Sequence, residues 1–298
     1  MDEPKEGVSE VENRTKCLPL VLFFHEIHAF LKMIIQSEFH MELIDTHCHL
    51  YDPAFAGDIE SVIQRARDIG VGRFYLPAID RQSEKSLLDL EKRYPDICFA
   101  MQGLHPCSVK ADVEEALKHV EQSLAVRRFS AVGETGLDFY WDRSFEKEQY
   151  LAFHRQIDWA LHYDLPIVIH SRDSIEKTIS VVRERQKGGL RGIFHCFNED
   201  EQSASQITAL GFYLGIGGTL TYKNSKLPES LKNIGLEHIV LETDAPYLPP
   251  VPFRGKRNES SYLHLVAEKL AEIKGIPTDE VAKRTTLNAL KILEKMNA

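Results

Sequence analysis

The stretch MELIDTHCHLYD, residues 41–52, decides how the rest of the chain is read. It opens as a short apolar strand over Glu42–His47 and ends in Asp45-Thr46-His47-Cys48-His49. A doubly wound dinucleotide-binding sheet places a glycine-rich phosphate loop after its first strand. Here neither GxGxxG nor GxxxxGK[ST] follows; histidines do. Side chains alternate along a strand, so Asp45, His47 and His49 are expected on one face. At ~3.3 Å per residue the two imidazoles are about 7 Å apart along the strand, close enough to converge on one cation.

Working outward, short apolar runs recur: Arg73–Ala78, Ile97–Gly103, Ser130–Glu134, Pro166–His170, Gly192–His195, Phe212–Gly217 and His238–Thr243. Between them apolar residues fall at helical spacing, as in Ile59-Val62-Ile63-Ala66, Leu117-Val120-Leu124 and Tyr150-Phe153-Ile157-Ala160-Leu161. Two more helical stretches, 260–274 and 278–295, follow the last run. Asp58, Asp112, Ser144, Asp173 and Thr278 stand near the expected helix starts. Eight strand-then-helix units in about 250 residues are the rhythm of an α/β TIM (β/α)8 barrel. The expectation is a single barrel domain over residues 41–298 with an N-terminal appendage over residues 1–40.

Composition agrees with a globular chain. Of 298 residues, 43% are apolar and 27% charged, which excludes disorder as the main state. Lys and Arg total 36 against 45 Asp and Glu, a net charge of −9. A protein that holds nucleic acid by sheer positive field looks different, so a polyanion would need a metal or a few placed cations. The five cysteines are scattered without a CxxC, which fits a reducing, cytoplasmic compartment. Residues 1–16 carry five acids and three bases, the wrong sign for the start of a secretory signal. The apolar run Leu18–Phe24 is far short of the ~20 residues that span a membrane. Residues 1–40 therefore read as an extension or an upstream start, dispensable for activity. The sequence is compatible with a monomer and does not define the oligomeric state.

The ends of the strands hold the chemistry. Glu134 ends the fourth, His170 the fifth and His195 the sixth; Asp244 follows the eighth, and His47 and His49 end the first. Singly, each would pass as a solvated strand end. In a barrel all these ends meet at one rim, where active sites of this fold lie. Six imidazole and carboxylate ligands exceed one tetrahedral ion and suit two divalent ions bridged by a carboxylate. The ligand types do not choose among Mg, Mn and Zn. Chain order suggests His47 and His49 on one ion, His170 and His195 on the other, Glu134 between them, and Asp244 completing one of them.

The motifs DTHCHL, GLHP, GETGLDF, VIHSR, FHCF and LETDAP resemble, in this order and spacing, the TatD family of metal-dependent deoxyribonucleases within the amidohydrolase-like hydrolases. The resemblance spans roughly residues 41–295 and not residues 1–40. It implies a two-metal barrel hydrolase acting on DNA, often as a 3′ exonuclease on single strands or 3′ ends. Carried over motif by motif, its ligands are His47, His49, Glu134, His170, His195 and Asp244, the six already singled out. Wider relatives bridge their metals with a carboxylated lysine on the fourth strand; Glu134 there matches the TatD-like branch.

The expected reaction is phosphodiester hydrolysis by metal-activated water, with Asp244 as candidate general base and Glu134 between the ions. Arg172 is a candidate phosphate clamp, or else a helix-start ion pair. His105 of GLHP could face the scissile group, or stack, or cap a turn. Lys223, Arg254, Lys256 and Arg257 border the same rim, as backbone holders or simply solvated residues. Tyr222, Tyr247 and Phe253 could stack unpaired bases or anchor loops. Glu242 shares a face with Asp244 and reads as a support for the ligands. Cys48 and Cys196 alternate to the opposite face and read as packing residues. The rival readings are an amidohydrolase or ester deacylase acting on a small molecule or aminoacyl-tRNA, and a non-catalytic binding protein.

Overall fold

Eight short parallel strands alternate with helices in the computed structural model, which describes residues 42–294. The expected appendage over residues 1–40 lies outside the described residues. In chain order the elements are β1 (Leu43–Asp45), α1 (Ile59–Asp68), β2 (Val71–Leu76), α2 (Arg81–Arg93), β3 (Cys98–Ala100), α3 (Val113–Val126), β4 (Val132–Asp138) and α4 (Glu146–His162). There follow β5 (Ile167–Arg172), α5 (Ile175–Arg185), β6 (Gly192–Phe194), α6 (Glu201–Ala209), β7 (Tyr213–Ile216), α7 (Leu227–Leu231), β8 (Ile239–Leu241), α8 (Leu263–Lys274) and α9 (Thr278–Leu293).

The strands pair in sequence order, β1 to β3 and β4 to β8. Two seams close them into a ring. Between β3 and β4, Gln102 pairs with Val132, and Gly133 N donates to Gln102 O at 2.9 Å. Between β8 and β1, Thr46 N donates to Leu241 O at 3.1 Å and Asp244 N to His47 O at 2.9 Å. This is the TIM barrel that the alternation predicts. Several strands are shorter than expected: β1 stops at Asp45, before His47, and β3 keeps only three residues. The ladder becomes irregular there, yet Cys48 N still reaches Tyr75 O at 3.1 Å and His49 N reaches Ala245 O at 2.7 Å. By contrast β4 runs on past Glu134, because Leu137 and Asp138 keep pairing with Ser171 and Arg172.

The core has two layers. Inside the barrel Ile44, Tyr75, Met101, Ala131, Val168, Ile193, Tyr213 and Val240 cluster, one from each strand or its flank. Ala289, Ile292 and Leu293 of α9 join them, so the last helix plugs the N-terminal mouth. Thr286 Oγ1 pins it by donating to Glu42 O at 2.6 Å. Between strands and helices lies the larger apolar layer, with Val62, Ile63 and Ala66 of α1, Leu117, Val120 and Leu124 of α3, and Phe153 and Ile157 of α4. Leu161 was expected on the same face but is 39% exposed. At 100° per residue it is rotated about 80° from Phe153, off the edge of the buried stripe.

The helix starts are less literal than the sequence suggests. Asp58 and Asp112 occupy N-cap positions without a side-chain bond to their helices. Asp58 is held instead by Arg257, at 2.7 Å to each oxygen. The caps near 144 and 173 are Phe145 and Ser174, one residue later than expected, and Thr278 is the first residue of α9 after the cap Pro277.

Asp45 does not share a direction with His47 and His49. Its fully buried carboxylate turns to the β8 seam and accepts from Thr243 N at 2.9 Å, Thr243 Oγ1 at 2.6 Å and Ser260 Oγ at 2.6 Å. The chain bends after Asp45, so the pleat no longer sets the direction of the histidines. Asp45→Ala strands these buried donors at the ring's closing seam. At ~1–3 kcal/mol for each group left unsatisfied, the expected loss is about 3 kcal/mol of unfolding free energy in a urea titration.

Candidate metal centre

The C-terminal rim brings the six predicted ligand residues together around one carboxylate. Glu134 leaves β4 with 2% exposure and turns its two oxygens to different partners. Its Oε2 lies 3.2 Å from His47 Nε2 and 4.0 Å from His49 Nε2. Its Oε1 lies 2.7 Å from His195 Nε2 and 2.9 Å from His170 Nδ1. Asp244 Oδ1 stands 3.3 Å from His49 Nε2 and 3.7 Å from His47 Nε2. The imidazoles of His47 and His195 stack in parallel at 3.8 Å. Those of His47 and His49 meet edge to face at 5.1 Å, closer than their spacing along an extended strand.

Proton bookkeeping around these rings tests whether a cation fits. Tyr51 Oη donates to Pro77 O at 2.5 Å, so it accepts from His49 Nδ1 at 3.0 Å. His49 Nε2 is then a lone pair facing carboxylate oxygen. Asp138 Oδ2 accepts from His170 Nε2 at 2.9 Å, which leaves His170 Nδ1 as a lone pair facing Glu134 and His195. Both nitrogens of His47 are buried without an aligned hydrogen-bond partner, as is His195 Nδ1. Lone pairs aimed at carboxylates in a largely buried site call for protons or cations between them. Imidazole nitrogens and carboxylate oxygens are the donors that divalent transition metals and Mg or Mn accept, so the residues present fit such ions.

Electrostatics divide the imidazoles. Burial opposes the charged form of His170 and His195, but Asp138 and Glu134 raise the first and Glu134 and Glu242 raise the second, so a proton is favoured there where a cation would otherwise sit. Burial opposes ionisation of Glu134, but His195, His105 and His47 outweigh it and hold the carboxyl well below the usual range. Burial likewise opposes ionisation of Asp244, and His49, His195 and His47 hold it low. His47 is pushed down by burial and by His195, towards the neutral form that binds a metal.

His105 plays a different part from the other imidazoles. Its Nδ1 accepts from Cys107 N at 3.0 Å, capping the turn Pro106–Ser108. Its Nε2 therefore carries the proton, directed at Glu134 Oε1 at 3.3 Å. It also packs edge to face on His170 at 4.6 Å. Glu242 supports the sixth strand end: Oε1 accepts from Cys196 N at 2.6 Å and faces His195 Nδ1 at 3.5 Å.

Asp138 was missed in the sequence. It sits four residues after Glu134 on β4, and that even spacing was the available signal. Burial would raise its carboxyl, but His170 and two backbone N–H donors bring it down to about 2. Cys196 is a correction. A left-handed backbone (φ 48°) breaks the alternation after β6, and the residue lines the cleft instead of packing behind it. Cys48 is buried as expected.

A cleft of about 650 Å³ opens over the centre, walled in part by Trp141, Arg172 and Tyr247. Arg172 makes no ion pair among the described residues; its guanidinium lies 3.9 Å from the Tyr140 ring centre. Arg257 is committed to Asp58 and Glu259, so it is a structural residue. Phe253 is a loop anchor, stacked on Tyr262 at 4.0 Å. Tyr222 donates to Pro249 O at 3.1 Å beneath Arg254. Lys223, Arg254 and Lys256 are exposed and outside the cleft lining. Among the described residues no helix is long and apolar enough to cross a membrane.

Comparison with known proteins places this arrangement. The family model described as "TatD related DNase" matches residues 44–294. The chain is 38% identical over 251 residues to the uncharacterized metal-dependent hydrolase YabD of Bacillus subtilis (strain 168), covering 84% of this chain and 98% of that one. It is 36% identical over 244 residues to the uncharacterized metal-dependent hydrolase YjjV of Escherichia coli (strain K12), covering 80% and 93%. The crystal structure of YjjV, a TatD homologue, superposes with a TM-score of 0.80 at 33% identity, covering 84% of this chain and 97% of that one. With the match running from β1 through the last helix and over every strand end of the histidine–carboxylate cluster, the chain belongs to the TatD family and is a metal-dependent hydrolase.

Proposed function

We propose that this hydrolase cleaves phosphodiesters of DNA with two divalent ions, working from the 3′ end of a single strand. The ions would be held by His47, His49 and Asp244 on one side and by His170 and His195 on the other, with Glu134 between them. The observation that carries the reading is the division of Glu134, one oxygen toward His47 and His49 and the other toward His170 and His195. When bound, such a pair of cations would neutralise phosphate oxygens and acidify water for attack on phosphorus.

The chain's own residues supply the rest. Asp244 is the carboxylate that the solvent reaches, with its side chain 14% exposed against 2% for Glu134. It is the group placed to accept a proton from attacking water. Glu134 supplies fixed negative charge in the enclosed part of the site. His105 Nε2 holds Glu134 in place, and Asp138 fixes the ring of His170. The DNA assignment rests on the description of the family and on the aromatic rim of the cleft, where Arg172 makes no ion pair among the described residues.

The test uses the purified full-length chain, stripped with chelator and then supplied with Mg, Mn or Zn. The expected result is metal-dependent release of mononucleotides from the 3′ end of an end-labelled single strand. Turnover of an amide or aminoacyl ester, with DNA left intact under every ion, would overturn the reading.

A further inference from the structure

Two large aromatic side chains stand in water at the rim of the cleft. Tyr140 is 52% exposed and Trp141 68% exposed. They meet edge to face at 4.9 Å and 87°. The Arg172 guanidinium lies 3.9 Å from the ring centre of Tyr140 and 5.2 Å from that of Trp141. Trp141 and Arg172 wall the same cleft as Glu134 and His170. An aromatic pair this exposed gains little from burial where it stands, and such a patch marks a contact surface.

The patch is also held in register with the centre. Asp138 Oδ1 accepts from Tyr140 N at 3.0 Å and from Trp141 N at 3.2 Å, while its Oδ2 accepts from His170 Nε2 at 2.9 Å. Asp138 pairs in the β4–β5 ladder with Arg172 itself. One carboxylate thus positions both the aromatic backbone and an imidazole of the metal centre.

We infer that Tyr140, Trp141 and Arg172 form a stacking platform for an unpaired base of the DNA strand whose phosphate is held at the centre. The inference rests on the nuclease reading above. A chain of net charge −9 cannot hold a polyanion by a diffuse positive field. Stacking is a source of affinity that does not depend on that field and accepts any base. The guanidinium contributes twice, with a flat face for the base and N–H donors for the adjoining phosphate. Bases within a duplex already stack on each other, so the platform favours single strands and frayed ends.

Fluorescence anisotropy of a labelled, phosphorothioate-protected single-stranded decamer, with the ion-loaded full-length chain, tests this. Trp141→Ala and the double variant Tyr140→Ala/Trp141→Ala should weaken binding on the order of tenfold, equivalent to ~1.4 kcal/mol. Trp141→Phe should keep most of it. A decamer with abasic terminal nucleotides should bind the wild type as weakly as the normal strand binds Trp141→Ala. A single-stranded RNA should lose the same factor, and a blunt duplex should change less than about twofold. On cleavable DNA the alanine variants should raise KM with little change in kcat. Equal binding of the normal strand by wild type and double variant overturns the platform alone. A wild type that binds no strand at all overturns the nuclease reading, and the platform with it.

Discussion

Glu134→Gln is expected to cost the protein its bound metal and its hydrolysis together. The substitution keeps side-chain volume and so leaves the barrel's packing alone. What changes is charge and one donor. An NH2 replaces an oxygen that faces either His47 Nε2 at 3.2 Å or His195 Nε2 at 2.7 Å. Whichever way the amide turns, one half of the centre loses its acceptor. Removing even an outer partner of a metal ligand typically costs ~10–100-fold in affinity, and Glu134 stands between both halves, so a loss beyond about 100-fold is expected. Turnover should fall by about 100- to 1000-fold, the scale seen when one preorganised electrostatic contact is removed from a polar site. Metal analysis after dialysis, beside the kcat of the same preparation, checks it. A glutamine variant that keeps the wild-type metal content at wild-type affinity would rule out Glu134 as a ligand.

The barrel and its ligand ring were legible because both rest on strong, local signals. A strand buried on both faces must be apolar, so a Glu or His at its end stands out, and β5 with Ile167-Val168-Ile169-His170 shows this plainly. The chain-order rule for parallel barrels then sends all such ends to one rim. What failed was the use of pleat alternation beyond the last ladder pair. Asp45, inside β1, turned to Thr243 and Ser260, while His47 and His49 reached the centre only after the chain bends. Cys196 left its expected face for the same kind of reason, a left-handed residue just past β6.

Side-chain partnerships between distant elements were not legible at all. Nothing in the order of residues says that Arg257 spends its guanidinium on Asp58, 199 residues away, rather than on a phosphate. Nor does it say that Phe253 lies flat on Tyr262. Asp138 is the instructive miss, since it lies in the quoted motif GETGLDF and four residues from Glu134. Its role depends on where the ring of His170 turns, which only the fold decides.

Asp244→Asn separates the holding of an ion from the taking of a proton, and the backbone makes it a clean test. Asp244 sits in the left-handed region at φ 57°, where Asn is tolerated better than Ala or any branched residue. Its N–H bond to His47 O at 2.9 Å is a main-chain contact that the substitution keeps. The amide preserves shape and one carbonyl oxygen near His49, but it has no charge to receive a proton. If Asp244 is the base, ion content and KM should stay close to wild type while kcat falls ~100- to 10,000-fold, the usual contribution of a positioned base. If it serves only as a ligand, ion content should fall first, and raising the metal concentration should restore kcat. The greater exposure of Asp244 than of Glu134 favours the first outcome, because a proton acceptor must be reached by water and a bridging carboxylate need not be. Near-normal kcat with normal ion content would take Asp244 out of both roles and leave the attacking water without a base among the six residues at this rim.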